Sequence, residues 1–131
     1  MTMNLDDLNI HYDKLLAHRE AVQRLEALRA TILSAHQLDG IPAYQLDTTR
    51  LERLAFSLEA QEREIKALSV ALKREATQIR KFTRTIADNR TKLIITLRFF
   101  VGCTWSEVAQ ILGGRETAET CKMCCYRFFS K

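Results

Sequence analysis

The tightest cluster of reactive side chains in this sequence is Cys121-x-x-Cys124-Cys125, a spacing that elsewhere serves zinc ligation or thiol–disulfide exchange. Zinc needs converging ligands, usually supplied by paired loops, and here only Cys103 is left to join them, with no histidine nearby. Redox motifs of this spacing open a helix that follows a strand, whereas these cysteines fall in the middle of a helical pattern. Cys121 and Cys125 therefore read as small buried hydrophobes, and Cys124, where exposed, as the reactive thiol. His11, His18 and His36 all fall on the first helical segment, too far apart along it for a compact metal site or a triad. No Ser-His-Asp order, phosphate loop or paired carboxylate cluster appears. No enzymatic chemistry, metal or cofactor is expected.

The charged residues point elsewhere. The formal charge is +4, but residues 1–48 carry four basic and seven acidic side chains, whereas residues 89–131 carry seven basic and three acidic. Residues 73–88 add five basic against two acidic. Positive charge thus accumulates toward the C-terminal end, as a module that approaches phosphates requires, although a solvated basic helix face has the same signature. No apolar stretch reaches the roughly 20 residues that span a bilayer. The first residues, with Asp6, Asp7 and Asp13, lack the basic and apolar regions of a signal peptide. A cytoplasmic protein with reduced cysteines and no membrane contact is expected.

The elements that carry these residues read as all-α, with one proline and four glycines in 131 residues. Leu5, Leu8, Tyr12 and Leu15 recur at helical spacing, as do Ala21, Leu25, Leu28, Ile32 and Ala35, but the phase slips between the two sets. Leu38-Asp39-Gly40-Ile41-Pro42-Ala43-Tyr44 breaks the helix. A second helix, capped by Asp47 or Thr48, carries a seam at Leu51, Leu54, Leu58, Gln61, Ile65, Leu68, Leu72, Glu75, Ile79, Phe82 and Ile86. Its alternation of three- and four-residue steps predicts a coiled coil. The expectation is a long antiparallel helical hairpin over residues 1–87, pairing with a second copy as a homodimer, because two helices alone bury little surface. A monomeric hairpin folded back on the C-terminal region is the competing arrangement.

Residues 88–131 form the second expected domain. Asp88 or Asn89 caps a helix through Leu93, Ile94, Leu97, Phe100 and Val101, which Gly102 closes in a left-handed conformation. Thr104-Trp105-Ser106-Glu107 is a capping box. The helix behind it is expected to bury Val108, Ala109, Ile111 and Leu112 and to end at Gly113-Gly114, and Thr117 caps a last helix to about Phe129. Two helices joined by a tight glycine turn, with Ala109 at the close approach, predict a helix-turn-helix. Cys121, Cys125 and Phe128 then face inward. Glu119, Met123, Tyr126 and Arg127 face outward, flanked by Thr120 and Lys122. Read as a recognition helix, this face reaches base edges. Arg115, Thr117 and Arg127 at the helix ends are the natural phosphate contacts, although Thr117 has a structural role as a cap in any case.

Leu97-Arg98, Gly102, Thr104, Glu107, Val108, Ala109, Leu112 and Gly113 together resemble the fourth-region DNA-binding domain of sigma factors. The run Glu116 to Phe128 resembles the final helix of small phage and prophage regulators that carry this sigma-like domain, related to late-gene activators of the RinA and ArpU type. Leu38-Asp39-Gly40-Ile41-Pro42 also resembles a loop of that family, so the likeness covers nearly the whole chain. The resemblance implies a phage or prophage transcription regulator that binds promoter or operator DNA. Lys122 and Arg127 would keep the family's basic character, and Glu119 and Met123 would fall where base contacts are made. Cys124 stands where the family commonly has arginine.

Two readings compete with a regulator on double-stranded DNA. One is a coiled-coil adaptor that engages RNA polymerase or another protein, which the acidic first helix and Cys124 favour. The other is a phage DNA-packaging subunit, in which a helix-turn-helix on an oligomerising coiled coil recognises genome ends.

Overall fold

In the computed structural model, residues 3–36 and 48–130 are described. Asp47 and the Leu38–Tyr44 segment, where a cap and a helix break were expected, lie outside them. The described residues are all-α, without strands: α1 (Leu5–His36), α2 (Thr48–Thr83), α3 (Asn89–Ile95), which continues as a π-helical turn over Thr96–Val101, α4 (Trp105–Leu112) and α5 (Ala118–Ser130). No helix among them is long and apolar enough to cross a membrane.

The chain divides into two compact units that do not follow sequence order. One comprises Met1–Leu16 with Ala71–Lys131, and the other Ala17–Val70. The boundary expected at 87/88 separates segments by type, whereas packing assigns the start of α1 and the end of α2 to the C-terminal helices.

The first unit has a continuous core. Leu8 and Tyr12 of α1 and Ile79 of α2 are buried with Ile86, Ile94, Ile95, Phe99, Cys103, Val108, Ala109, Cys121 and Cys125. Tyr12 meets Phe99 edge-on at 6.5 Å, and Phe99 meets Trp105 edge-on at 6.3 Å, a geometry that aligns ring edges with faces. The Arg98 guanidinium lies 3.6 Å from the Tyr12 ring centre and 4.6 Å from that of Trp105, and burial lowers its pKa. A second aromatic group holds the ends of α2 and α5 together, with Phe82 stacked on Phe129 at 5.9 Å.

This packing explains the phase slip along α1. Up to Leu16 the helix serves two neighbours: Leu8 and Tyr12 join the C-terminal core, while His11 and Lys14 turn toward α2, 3.6 and 2.8 Å from the Glu75 carboxylate. In the second unit, which starts at Ala17, the buried face of α1 shifts to Ala21 and Leu25. Arg24 reaches Glu64 at 3.9 Å and Arg29 reaches Glu62 at 3.0 Å, so numbers rise on α1 as they fall on α2, the relation antiparallel helices show. Every seam residue of α2 from Leu51 to Phe82 is buried or half-buried.

The α2 helix ends at Thr83 rather than continuing through residue 87. The Thr83 and Thr85 hydroxyls donate to the carbonyls of Arg80 and Phe82, and the Ile86 amide donates to the Thr83 carbonyl. These bonds replace the helical ladder with a turn, and Ile86 reaches the core from that turn.

Candidate nucleic-acid interface

In the C-terminal module each helix starts on a capping side chain, and glycines close the π-helical turn after α3 and the α4 helix. The Asp88 carboxylate accepts from the Thr91 amide and hydroxyl at the start of α3, which holds its pKa below the ordinary value. At the end of the π-helical turn, the Leu97 carbonyl accepts from both the Gly102 and Cys103 amides. Gly102 adopts φ 88°, open to glycine at little cost. Thr104 and Glu107 form the capping box in both directions: the Glu107 amide donates to Thr104 Oγ1 at 3.2 Å, and the Thr104 amide to Glu107 Oε1 at 3.1 Å.

The α4 helix turns Val108 and Ala109 into the core, with Trp105 and Leu112 half-buried beside them. Ile111 was expected there as well, but is 58% exposed. On a helix that advances about 100° per residue, Ile111 points well away from the line through Trp105, Val108, Ala109 and Leu112. An eight-residue helix presents one such line to the core.

Gly113 and Gly114, both at positive φ, reverse the chain toward α5. The Thr120 amide donates to Thr117 Oγ1 at 3.2 Å and the Thr117 amide to Thr120 Oγ1 at 2.9 Å, which gives α5 a reciprocal threonine cap. Thr120 Oγ1 also lies 3.0 Å from Glu116 Oε2. Thr117 and Thr120, singled out as nucleic-acid contacts, are thus committed first to starting the helix.

Cys121 and Cys125 are fully buried, as expected from their period on α5. Burial pushes the Cys125 thiol up to about 12 and raises that of Cys121, so both are inert small apolar groups at neutral pH. Among the described residues no group of three or more metal-ligating side chains forms. Cys124 is half-buried, with Sγ 3.5 Å from the Thr91 hydroxyl of α3.

The remaining residues singled out from the sequence separate into two lines on α5. Glu119, Met123 and Arg127, one helical turn apart, line an open groove of about 810 Å³ together with Asp88, Arg90 and Thr91. Lys122 and Tyr126 form the second line, with the Lys122 ammonium 5.7 Å from the Tyr126 ring centre. Met123 is 39% and Tyr126 40% exposed. Arg115 stands exposed in the turn before α5.

Two residues of this surface escaped the sequence reading. Arg90 Nε and Nη2 donate to Glu116 Oε1 and Oε2, each at 2.8 Å, and clamp the turn before α5 onto the first turn of α3. The pair holds the Glu116 carboxyl down at about 2. No local motif pairs the two residues, and only folding brings them together. Comparison with protein families, curated proteins and solved structures found no match to this chain.

Proposed function

We propose that this chain is a DNA-binding transcription regulator of phage or prophage origin, sigma-region-four-like, in which α4 and α5 act as a helix-turn-helix. The observation that carries the reading is the two-sidedness of α5. Cys121 and Cys125 fasten it to the core, and Glu119, Met123, Tyr126 and Arg127 stand on its exposed side. A helix that reads the major groove needs that division, with its N-terminal residues toward base edges and basic residues toward phosphates. The excess of basic residues over 73–131 supports the same reading, because phosphate neutralisation supplies most of the affinity of such proteins. In this reading Lys122, Arg127 and Arg115 contact the backbone, and Glu119 and Met123 discriminate bases.

Selection of binding sites from random duplex DNA is the direct test. Enrichment of a motif, with dyad symmetry for a dimer, is expected; absence of enrichment at low salt overturns the reading. One observation favours a protein partner instead: Ile111 and Val101 are 58% and 47% exposed. The adaptor reading predicts that Ile111→Ser abolishes capture of RNA polymerase and leaves DNA affinity unchanged.

A further inference from the structure

The outer side of α2, within the unit Ala17–Val70, carries a second heptad distinct from the seam that faces α1. Phe56, Ala60, Arg63, Ala67 and Val70 follow one another at steps of four and three, and all are exposed, Phe56 at 69% and Val70 at 55%. Large apolar side chains in a regular heptad on an open face mark a helix-pairing surface, and the alanines between them let a second helix backbone come close. The unit needs such a neighbour. Among its described residues only Ala21 and Leu25 are buried apolar side chains, while Leu51, Leu54, Leu58, Ile65 and Leu68 stay half-exposed.

We propose that this face pairs with the same face of a second copy, antiparallel, about a two-fold axis at Arg63. Arg63 lies midway between Phe56 and Val70, seven residues from each, with Ala60 three residues before it and Ala67 four after it. The axis therefore sets Phe56 against Val70 of the second copy and Ala60 against Ala67 of the second copy. The flanking charges obey the same symmetry. Glu59 and Lys66 share one flank of the stripe on either side of Arg63, and facing flanks of antiparallel helices are the same flank. Each Glu59 thus meets Lys66 of the second copy. Among the described residues neither enters an ion pair within the chain, whereas Glu62 and Glu64, on the α1 side, are engaged by Arg29 and Arg24. A parallel partner would set Phe56 on Phe56 but turn Glu59 toward the opposite flank, where Glu64 of the second copy stands, and lose the charge match. The one unfavourable element is Arg63 facing its own copy at the axis, the kind of polar position that fixes register at a cost in stability.

This interface gives the dimer of the proposed regulator a specific face and direction, and it rests on that reading only for its biological purpose. Sedimentation of the full chain without DNA tests it. A dimer is expected, with Phe56→Glu raising the dissociation constant at least about tenfold, a substitution the exposed site tolerates in the monomer. Glu59→Lys weakens the dimer, Glu59→Lys/Lys66→Glu restores it, and Arg63→Leu tightens it. Diamide oxidation of Arg63→Cys should yield a peptide linked to its own copy through position 63. A wild type that is monomeric or forms larger rings, or a dimer indifferent to Phe56→Glu and to the charge swap, overturns the proposal. A wild-type dimer that shows these responses but selects no DNA sequence leaves the interface standing and removes the DNA-binding reading.

Discussion

Arg90 and Glu116 lie twenty-six residues apart and meet fork to fork, with two parallel bonds of 2.8 Å between guanidinium and carboxylate. One residue sits in the first turn of α3 and the other immediately before the cap of α5. Bidentate pairs of this kind add orientation to attraction, and here they fix the direction in which α5 leaves its turn. The Thr120 hydroxyl at 3.0 Å from the same carboxylate extends that control into the first turn of α5.

A Glu116→Gln variant should therefore melt at a lower temperature than the wild type at neutral pH. The Glu116 carboxyl is held at about 2 in the fold against an ordinary 4.5, so its stabilisation is present above 4.5 and is lost as the pH falls toward 2. Circular dichroism melts across that range should show the two proteins converging. A gap that persists at the acid end would assign the loss to packing rather than to the ion pair.

His11 imposes an earlier acid limit. Burial lowers its pKa below 6.5 in spite of Glu75 at 3.6 Å, so the fold holds the imidazole neutral more firmly than the unfolded chain does. Its contribution is complete above pH 6.5 and declines as the pH falls through the folded value. Wild-type stability should begin to fall just below pH 6.5, and His11→Gln should remove that first decline while leaving the one at lower pH.

Leu8 lies far from the C-terminal helices in sequence, yet it is fully buried in their core. Leu8→Ala should cost roughly 2–5 kcal/mol, the range for a buried leucine. Trp105, the single tryptophan, belongs to the same core and reports the transition by fluorescence. A Trp105 transition unmoved by Leu8→Ala would separate α1 from that core.

Thiol reactivity should follow burial. Iodoacetamide followed by peptide mass analysis is expected to label Cys124 first, with Cys103, Cys121 and Cys125 protected until the protein unfolds. Cys125→Ser, which places a hydroxyl in a fully buried apolar site, should destabilise by about 1–3 kcal/mol, measured by denaturant titration.

For the proposed DNA contacts, Lys122→Ala and Arg127→Ala should weaken binding to all duplexes. Each should reduce the slope of log affinity against log salt by about 1. Met123→Ala and Glu119→Ala should change which sequences are selected. Salt slopes identical to the wild type for the lysine and arginine variants would remove them from the phosphate-contacting set.

Much of the local structure was legible in the residues themselves. Caps, glycine stops and the burial of alternate α5 positions depend on neighbours within one or two turns, so Thr104 with Glu107, Gly102, Thr117, Cys121 and Cys125 declared their roles. The outward placement of Glu119, Met123, Tyr126 and Arg127 follows from the same period. Ile111 shows the limit of that reasoning, since composition marks it for the core while the short α4 helix has no second line to offer.

What only the tertiary structure decided involves partners distant in the chain. The slip in the α1 stripe was visible as a break in rhythm. Its cause became clear only when Leu8 and Tyr12 met Ile79 and Phe99, because periodicity reports that a face is buried and not against what. The Arg90–Glu116 clamp and the seat of Arg98 between Tyr12 and Trp105 have the same origin. A charged side chain has no periodic signature for its partner, and the ends of two helices meet only once the core beneath them has closed.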